Sequence, residues 1–405
     1  MTHRLASDGG TPVRTEPFPR WPATGAAEIA AVSEVLSSGD LNYWTGTQGR
    51  QLEREYADSL GRAWGIAVAN GTVALELALR AFLIGPGDEV IVPARTFIAT
   101  ASAVVAVGAV PIIADIDPVS GNLSAETVSA VISPASKCVI AVHVGGWPVD
   151  MDPLVLVARE HDLILVEDCA QAHGAMYRDK PAGALGSHAA TFSFCQDKII
   201  AAGEGGMIVL DDREAYERAW SYKDHGKSLA KIEGVLSSGS TMFRWVHDEF
   251  GSNFRLSEMA SAVVRVGLEA LPGWHLDRTH NAMRLAAGLA DVVGLDVPLP
   301  EAHTQHAFYR LYGRVVPEAI QPGWDRDSIA RAIAEEGIPC QYGTCAEIYR
   351  EDAFRASESV PREALAVAHA FHETQLAFFV HPTLTDAEID DTIVAVHKVM
   401  SAATR

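Results

Sequence analysis

Between about residues 64 and 210, short apolar runs alternate with segments of helical period, and this alternation constrains the fold more than any other feature of the chain. The runs are Ile66–Ala69, Glu89–Val92, Pro111–Asp115, Cys138–Val142, Leu163–Glu167, Ala190–Phe194 and Met207–Leu210. Helix-period segments such as Val73–Phe82, Ile98–Val107, Ala125–Val131 and Asp152–Glu160 lie between them. The runs are rich in β-branched residues and apolar almost throughout, as strands are when a sheet is covered on both faces. The pattern predicts a three-layer α/β/α domain around a mostly parallel mixed sheet, in which ligands sit beyond the carboxyl ends of the strands.

A chain of 405 residues suits two domains. Residues 1–255 are expected to form the larger one, and residues 256–405 a smaller C-terminal α+β domain. The turn-prone stretch Ser237–Ser240 interrupts the first pattern, and a helix follows from Ser257 to about Leu271. A second unit then begins near Trp274, with a strand at Tyr309–Val316 and helices at Arg326–Glu336 and Asp386–Met400.

Composition removes several function classes. A formal net charge of −20 argues against a nucleic-acid binder, because phosphate backbones demand a basic footprint. No apolar run approaches the ~20 residues of a membrane span, and MTHRLASDGGTPVR has no apolar core of a secretory signal, so a cytoplasmic location is expected. Five cysteines with no C-x-x-C pair argue against a disulfide framework or a structural metal site.

Three motifs fall at strand ends. Asn70–Gly71–Thr72 opens a helix, where unpaired N–H groups make an anion site; an ordinary N-cap turn has the same form. Asp168 stands where the run Leu163–Glu167 ends, placed either to cap a helix or to pair with a protonated heterocyclic nitrogen. Glu167 alternates to the other side and is the weaker candidate. Lys198 follows an apolar strand and precedes Gly203–Glu204–Gly205–Gly206. It is either a surface lysine or a desolvated amine able to attack an aldehyde, with Ser193 offering a hydroxyl to a phosphate.

Asn-Gly-Thr, Pro-Ala-Arg-Thr-Phe-Ile-Ala-Thr, Glu-Asp-Cys-Ala-Gln-Ala-His-Gly and Ser-Phe-x3-Lys-x4-Gly-Glu-Gly-Gly, in that order, resemble the DegT/DnrJ/StrS family of pyridoxal 5′-phosphate (PLP)-dependent sugar and cyclitol aminotransferases. The resemblance implies fold type I, with Lys198 as the Schiff-base lysine and proton carrier and Asp168 as partner of the pyridine nitrogen. It further implies that Gln171 meets the ring hydroxyl, that Phe97 stacks on the ring and that Gly71, Thr72 and Ser193 hold the phosphate. Asn253 would reach the phosphate in a partner subunit's site, which implies a homodimer. Cys195 departs from many relatives, which carry His, Tyr or Gln there.

Substrate contacts are expected from Tyr43, Trp44 and Thr45, or else these form a hydrophobic plug. Lys223 and Lys227 are cations for a diphosphate, or a solvated turn; His306 and Tyr309 resemble positions near the family's active site. The resemblance implies glutamate or glutamine as amino donor and a nucleotide-linked 4-keto-6-deoxy sugar as acceptor. The alternatives are a cyclitol ketone, an aminohydroxybenzoate-type synthase and a non-catalytic regulator that keeps the fold. Lys198 argues against the related sugar dehydratases, which carry histidine there.

Overall fold

The computed structural model describes residues 4–237, 245–355 and 360–405. The seven apolar runs form one sheet: β1 (Trp64–Val68), β2 (Glu89–Pro93), β3 (Val110–Ala114), β4 (Ser136–Val142), β5 (Ile164–Asp168), β6 (Ala189–Ser193) and β7 (Gly206–Leu210). Their spatial order is β1-β7-β6-β5-β4-β2-β3, parallel except for β7, which runs antiparallel to both neighbours. Two antiparallel steps leave β1 pointing the same way as β6. The carboxyl ends of all strands but β7 therefore open on one edge, and every strand-end motif lies along it.

Both faces are covered, as continuous apolar runs require. Ile66, Val68, Val90, Val92, Ile140, Val142 and Ile208 enter one core. The residues between them, Ala67, Ile91, Val139, Ala141, Met207 and Val209, enter the other. Strand side chains alternate faces, so two interleaved apolar sets need two covering layers.

Three helices matter for the site. α1 (Gly71–Ala81) starts directly beyond β1, with the Asn70 carboxamide oxygen accepting the Val73 N–H at 3.0 Å. α2 (Met151–Glu160) precedes β5. α3 (Glu258–Leu289) is far longer than its expected end near Leu271: it continues through Pro272 and takes in Trp274. Proline removes one intrahelical hydrogen bond. Both halves nonetheless stay helical because each packs on its own core, Val264 with the seven-stranded sheet and Ala282, Leu285 and Leu289 with the C-terminal unit.

That unit is a four-stranded antiparallel sheet of β8 (Leu295–Asp296), β9 (Leu311–Val315), β10 (Cys340–Gln341) and β11 (Gln375–Phe378), ordered β8-β9-β11-β10. α4 (Arg326–Glu335) and α5 (Asp386–Ala403) pack on it through Ile329, Ile333, Ile389, Val396 and Val399. Leu5 is buried in the same core with Val13 and Phe18 against it, and Arg14 pairs with Glu388 at 2.8 Å, so the N-terminal segment lies on the C-terminal unit. The expected strand at Tyr309–Val316 begins two residues later than the pattern suggested, which leaves Tyr309 and Arg310 in the connection leading into β9. Of the turn-prone Ser237–Ser240, residue 237 ends a helix from Leu229 and the rest lies outside the described residues.

Candidate active site

The junction of α1 and β6 is built for close approach. A Cβ placed on Gly71 would stand 2.7 Å from the Ser193 Cβ and 3.1 Å from its Oγ. Only glycine fits there, and the unpaired N–H groups of the first turn of α1 lie beside the Ser193 hydroxyl. That hydroxyl also accepts the Cys195 N–H at 3.3 Å. Thr72, exposed as the second residue of the helix, adds another hydroxyl to the same rim.

Asp168 ends β5, is 6% exposed, and among the described residues its carboxylate accepts hydrogen bonds from neutral donors only: the Ala170 N–H at 3.1 Å and the Thr100 hydroxyl at 3.4 Å. Burial pushes its carboxyl up from the ordinary range, outweighing the Ala170 hydrogen bond and the nearby Lys198. A buried carboxylate in this setting is completed by a cation.

Gln171, three residues on, is buried and its amide orientation is fixed. Its Oε1 accepts the Gly145 N–H at 2.6 Å, and its Nε2 donates to Thr344 Oγ1 at 3.4 Å.

Lys198 lies on the turn after β6, with Nζ 4.9 Å from the centre of the Tyr309 ring and 3.7 Å from Asp197 Oδ1. Tyr309 donates its hydroxyl to Asp197, and the Trp21 indole donates to the Lys198 carbonyl at 2.9 Å, so the turn is held from both units. Phe97 presents an exposed ring beside this edge, next to the buried Thr96.

Two buried histidines brace the same strand ends, and sequence reading assigned them no role. His143 accepts the Val149 N–H on Nδ1, so Nε2 donates to Glu167, at 3.1 Å. Glu167 also accepts from Gly183, Leu185 and Ser187. Burial alone would raise its carboxyl, but these donors more than offset it and hold it below the usual range. His143, Glu167 and Cys169 place ligand-type atoms within 4.8 Å of one another, yet the carboxylate already accepts four hydrogen bonds. His173 lies between the Tyr56 hydroxyl (2.8 Å) and the Ser193 carbonyl (3.0 Å), and burial lowers it to about 4. Glu167 and His173 stand in the same Glu-Asp-Cys-Ala-Gln-Ala-His-Gly run as Asp168 and Gln171, whereas His143 follows β4 with no such local mark.

The expected substrate residues separate into groups. Tyr43 is buried, its hydroxyl on Glu53 at 2.9 Å and the Lys223 ammonium 3.9 Å from its ring centre; Lys223 pairs with the same Glu53 at 3.2 Å. Trp44 donates to Asp224 at 2.8 Å, and Lys227 both pairs with Asp224 at 2.8 Å and lies 4.2 Å from the Trp44 ring. Thr45 sits exposed in a turn on Asn42. His306 stacks on Phe308 with centroids 4.3 Å apart, and burial brings it down to about 3. Tyr309 alone of this set touches Lys198. Asn253 is exposed, and its backbone bridges that of Asp224 beside the end of β1, where Ala69 donates to the Phe254 carbonyl at 2.8 Å.

These residues fit PLP. The helix start and Ser193 form an anion seat, Asp168 is a buried carboxylate short of a cation, and Lys198 supplies an amine on the same sheet edge. Fold and site together define a PLP-dependent enzyme of fold type I. The chain superposes with TM-score 0.92 on an aminotransferase from Psychrobacter cryohalolentis, at 41% identity over 96% of this chain and all of that one. The family model of DegT/DnrJ/EryC1/StrS aminotransferases matches residues 22–397, and the chain belongs to that family. An L-glutamine:2-deoxy-scyllo-inosose aminotransferase from Streptomyces fradiae is 37% identical over 347 residues, 84% of this chain and 81% of the relative. DesI, solved with its TDP-sugar product, is 26% identical with TM-score 0.84, covering 98% of this chain and 97% of its own. Among the described residues no helix is long and apolar enough to cross a membrane.

Proposed function

We propose that this aminotransferase moves an amino group from glutamine to the ketone of a polyhydroxylated six-membered carbocycle, a cyclitol ketone. The observation that carries the choice of acceptor is the state of the loop cations. Lys223 is spent on Glu53 and Lys227 on Asp224, so neither is offered to a diphosphate. An uncharged ring makes no such demand. The Streptomyces fradiae relative, whose name states this donor and this class of ketone, aligns with 84% of the chain. A nucleotide-linked 4-keto-6-deoxy sugar is the second reading, supported by the likeness to DesI with its TDP-sugar product.

In this reading the seven-stranded unit carries the cofactor and the four-stranded unit, with the N-terminal segment laid on it, closes over it, in a cytoplasmic homodimer whose sites are each completed by Asn253 of the other subunit. When bound, PLP supplies an aldehyde carbon and an electron-withdrawing protonated ring. Asp168 holds the proton on the ring nitrogen. The α1 N-terminus, Thr72 and Ser193 hold the phosphate, and Phe97 covers the ring. Lys198 Nζ would accept the proton from the donor's α-carbon and deliver it to the C4′ carbon on the far side of the intervening nitrogen, then perform the reverse transfer on the acceptor. The two substrates use one site in turn, so double-reciprocal plots are parallel.

Mass spectrometry after incubating the PLP-loaded enzyme with glutamine and either an inosose or a nucleotide-linked 4-keto-6-deoxy sugar tests this. An aminated cyclitol alone supports the proposal. An aminated nucleotide sugar alone overturns it in favour of the second reading.

A further inference from the structure

Gly343–Thr344–Cys345, in the loop after β10, touches the cofactor edge at two places. Thr344 Oγ1 accepts from the Gln171 amide at 3.4 Å, and the Cys345 carbonyl accepts the Thr96 N–H at 3.1 Å, next to Phe97. The loop is fixed from behind by Tyr312 on β9. The Thr344 N–H donates to the Tyr312 hydroxyl at 3.0 Å, and that hydroxyl lies 3.1 Å from Thr344 Oγ1. Since Oγ1 already accepts from Gln171, the Tyr312 O–H is free to donate to its second lone pair. Gln375 Nε2 donates to the Thr344 carbonyl at 2.6 Å and its Oε1 accepts from Arg95 at 3.0 Å, while Arg95 lies 4.4 Å from the Tyr312 ring centre.

The ring of Tyr312 is seated in a notch that two glycines create. A Cβ on Gly145 would fall 2.7 Å from it and a Cβ on Gly343 2.3 Å, and both glycines have positive φ, of 70° and 75°. Gly145 is also the residue whose N–H fixes the Gln171 carboxamide oxygen. The tyrosine of the four-stranded sheet is thus packed against one support of Gln171 and hydrogen-bonded to the other.

We infer that Tyr312 is a positioning residue. Through Thr344 it aims the remaining N–H of the Gln171 amide at the ring hydroxyl of PLP, so the four-stranded unit sets the proton affinity of the Lys198–cofactor linkage. The inference rests on the PLP reading of the site and on Gln171 meeting the ring hydroxyl, and it is independent of which ketone is the substrate. A donor on the ring oxygen weakens that oxygen's hold on the proton it shares with the linkage nitrogen. Loosening Gln171 therefore raises the pH at which this proton leaves.

The test is a pH titration of the visible absorbance of PLP-loaded enzyme, with neither substrate present. Tyr312→Phe keeps the ring in its notch and removes the hydroxyl; its midpoint is expected to rise by about half a pH unit, the scale of one ordinary hydrogen bond. Gln171→Ala should raise it at least as far, and Tyr312→Phe in the Gln171→Ala background should add nothing. An unshifted midpoint in Tyr312→Phe, or a full additional shift in the double variant, overturns the inference. Thr344→Val supplies a second route to the same loss, should Tyr312→Phe fold poorly. Absence of any visible band in the unsubstituted enzyme would instead refute the PLP reading itself.

Discussion

Gly71→Ala probes the anion seat directly. The added methyl would meet Ser193 Cβ at 2.7 Å and Ser193 Cα at 3.3 Å, against ~3.5–4.0 Å for relaxed carbon contacts. A rotamer change at Ser193 relieves neither contact, because Cβ and Cα do not move with χ1. The seam between α1 and β6 must open by about 1 Å, which as overpacking costs about 1–3 kcal/mol. The N–H groups of the first helical turn move with the seam. Losing one charge-assisted hydrogen bond to a phosphate costs about 1.5–3 kcal/mol, so the Kd for PLP should rise roughly tenfold to a hundredfold. Titration of the apoprotein with PLP measures the affinity, and urea unfolding of the apoprotein measures the strain. Adding Ser193→Gly removes the nearest clashing atom and should recover much of the stability, while affinity stays low because the hydroxyl is gone. A Gly71→Ala protein that is destabilised yet binds PLP with unchanged affinity would show that the phosphate does not sit at this junction.

Lys198→Ala should abolish the visible PLP band and transamination together; an active variant would sink the assignment of the amine. Asp168→Asn keeps the shape and removes the negative charge, and should slow the glutamine half-reaction by at least roughly a hundredfold in stopped-flow single turnovers, the scale of one lost electrostatic stabiliser. If Asn253 completes the neighbouring site, Asn253→Ala should mainly weaken PLP retention, and mixed dimers of Lys198→Ala and Asn253→Ala chains should include one intact site and be more active at limiting PLP than either parent; no gain in dimers proven mixed would count against a shared site. His173 and His306 lie at about 4 and about 3 in the fold, below the ordinary ~6.5 of an unfolded histidine. The unfolded chain therefore binds more protons between these values, so stability is full above about pH 6.5 and falls as pH drops toward 4. The His173 share is at most about 3 kcal/mol, and His173→Gln should flatten the urea-midpoint profile over that window.

Much of the fold was legible because its signals are local. Seven strands follow from seven apolar runs, and their shared direction places Asn70–Gly71–Thr72, Asp168 and Ser193 on one edge. Strand ends shifted by a residue or two, enough to move Tyr309 out of β9 and onto Lys198. The end of α3 was misread because Pro272–Gly273 is a strong local stop, whereas the packing that carries the helix past it comes from two distant cores.

By itself the sequence determined the sheet, the edge that carries the chemistry and the family, since periodicity and ordered motifs are properties of neighbouring residues. Tertiary structure alone decided which charges are available. Lys223 meets Glu53 across 170 positions and Gln171 meets Thr344 across 173, pairings that no local pattern encodes. A buried charge or amide must find a partner wherever the fold supplies one. Those long-range partners turned the candidate diphosphate cation Lys223 into a structural ion pair, where Lys227 has a local partner in Asp224, and tied the residue expected to meet the ring hydroxyl to the C-terminal sheet.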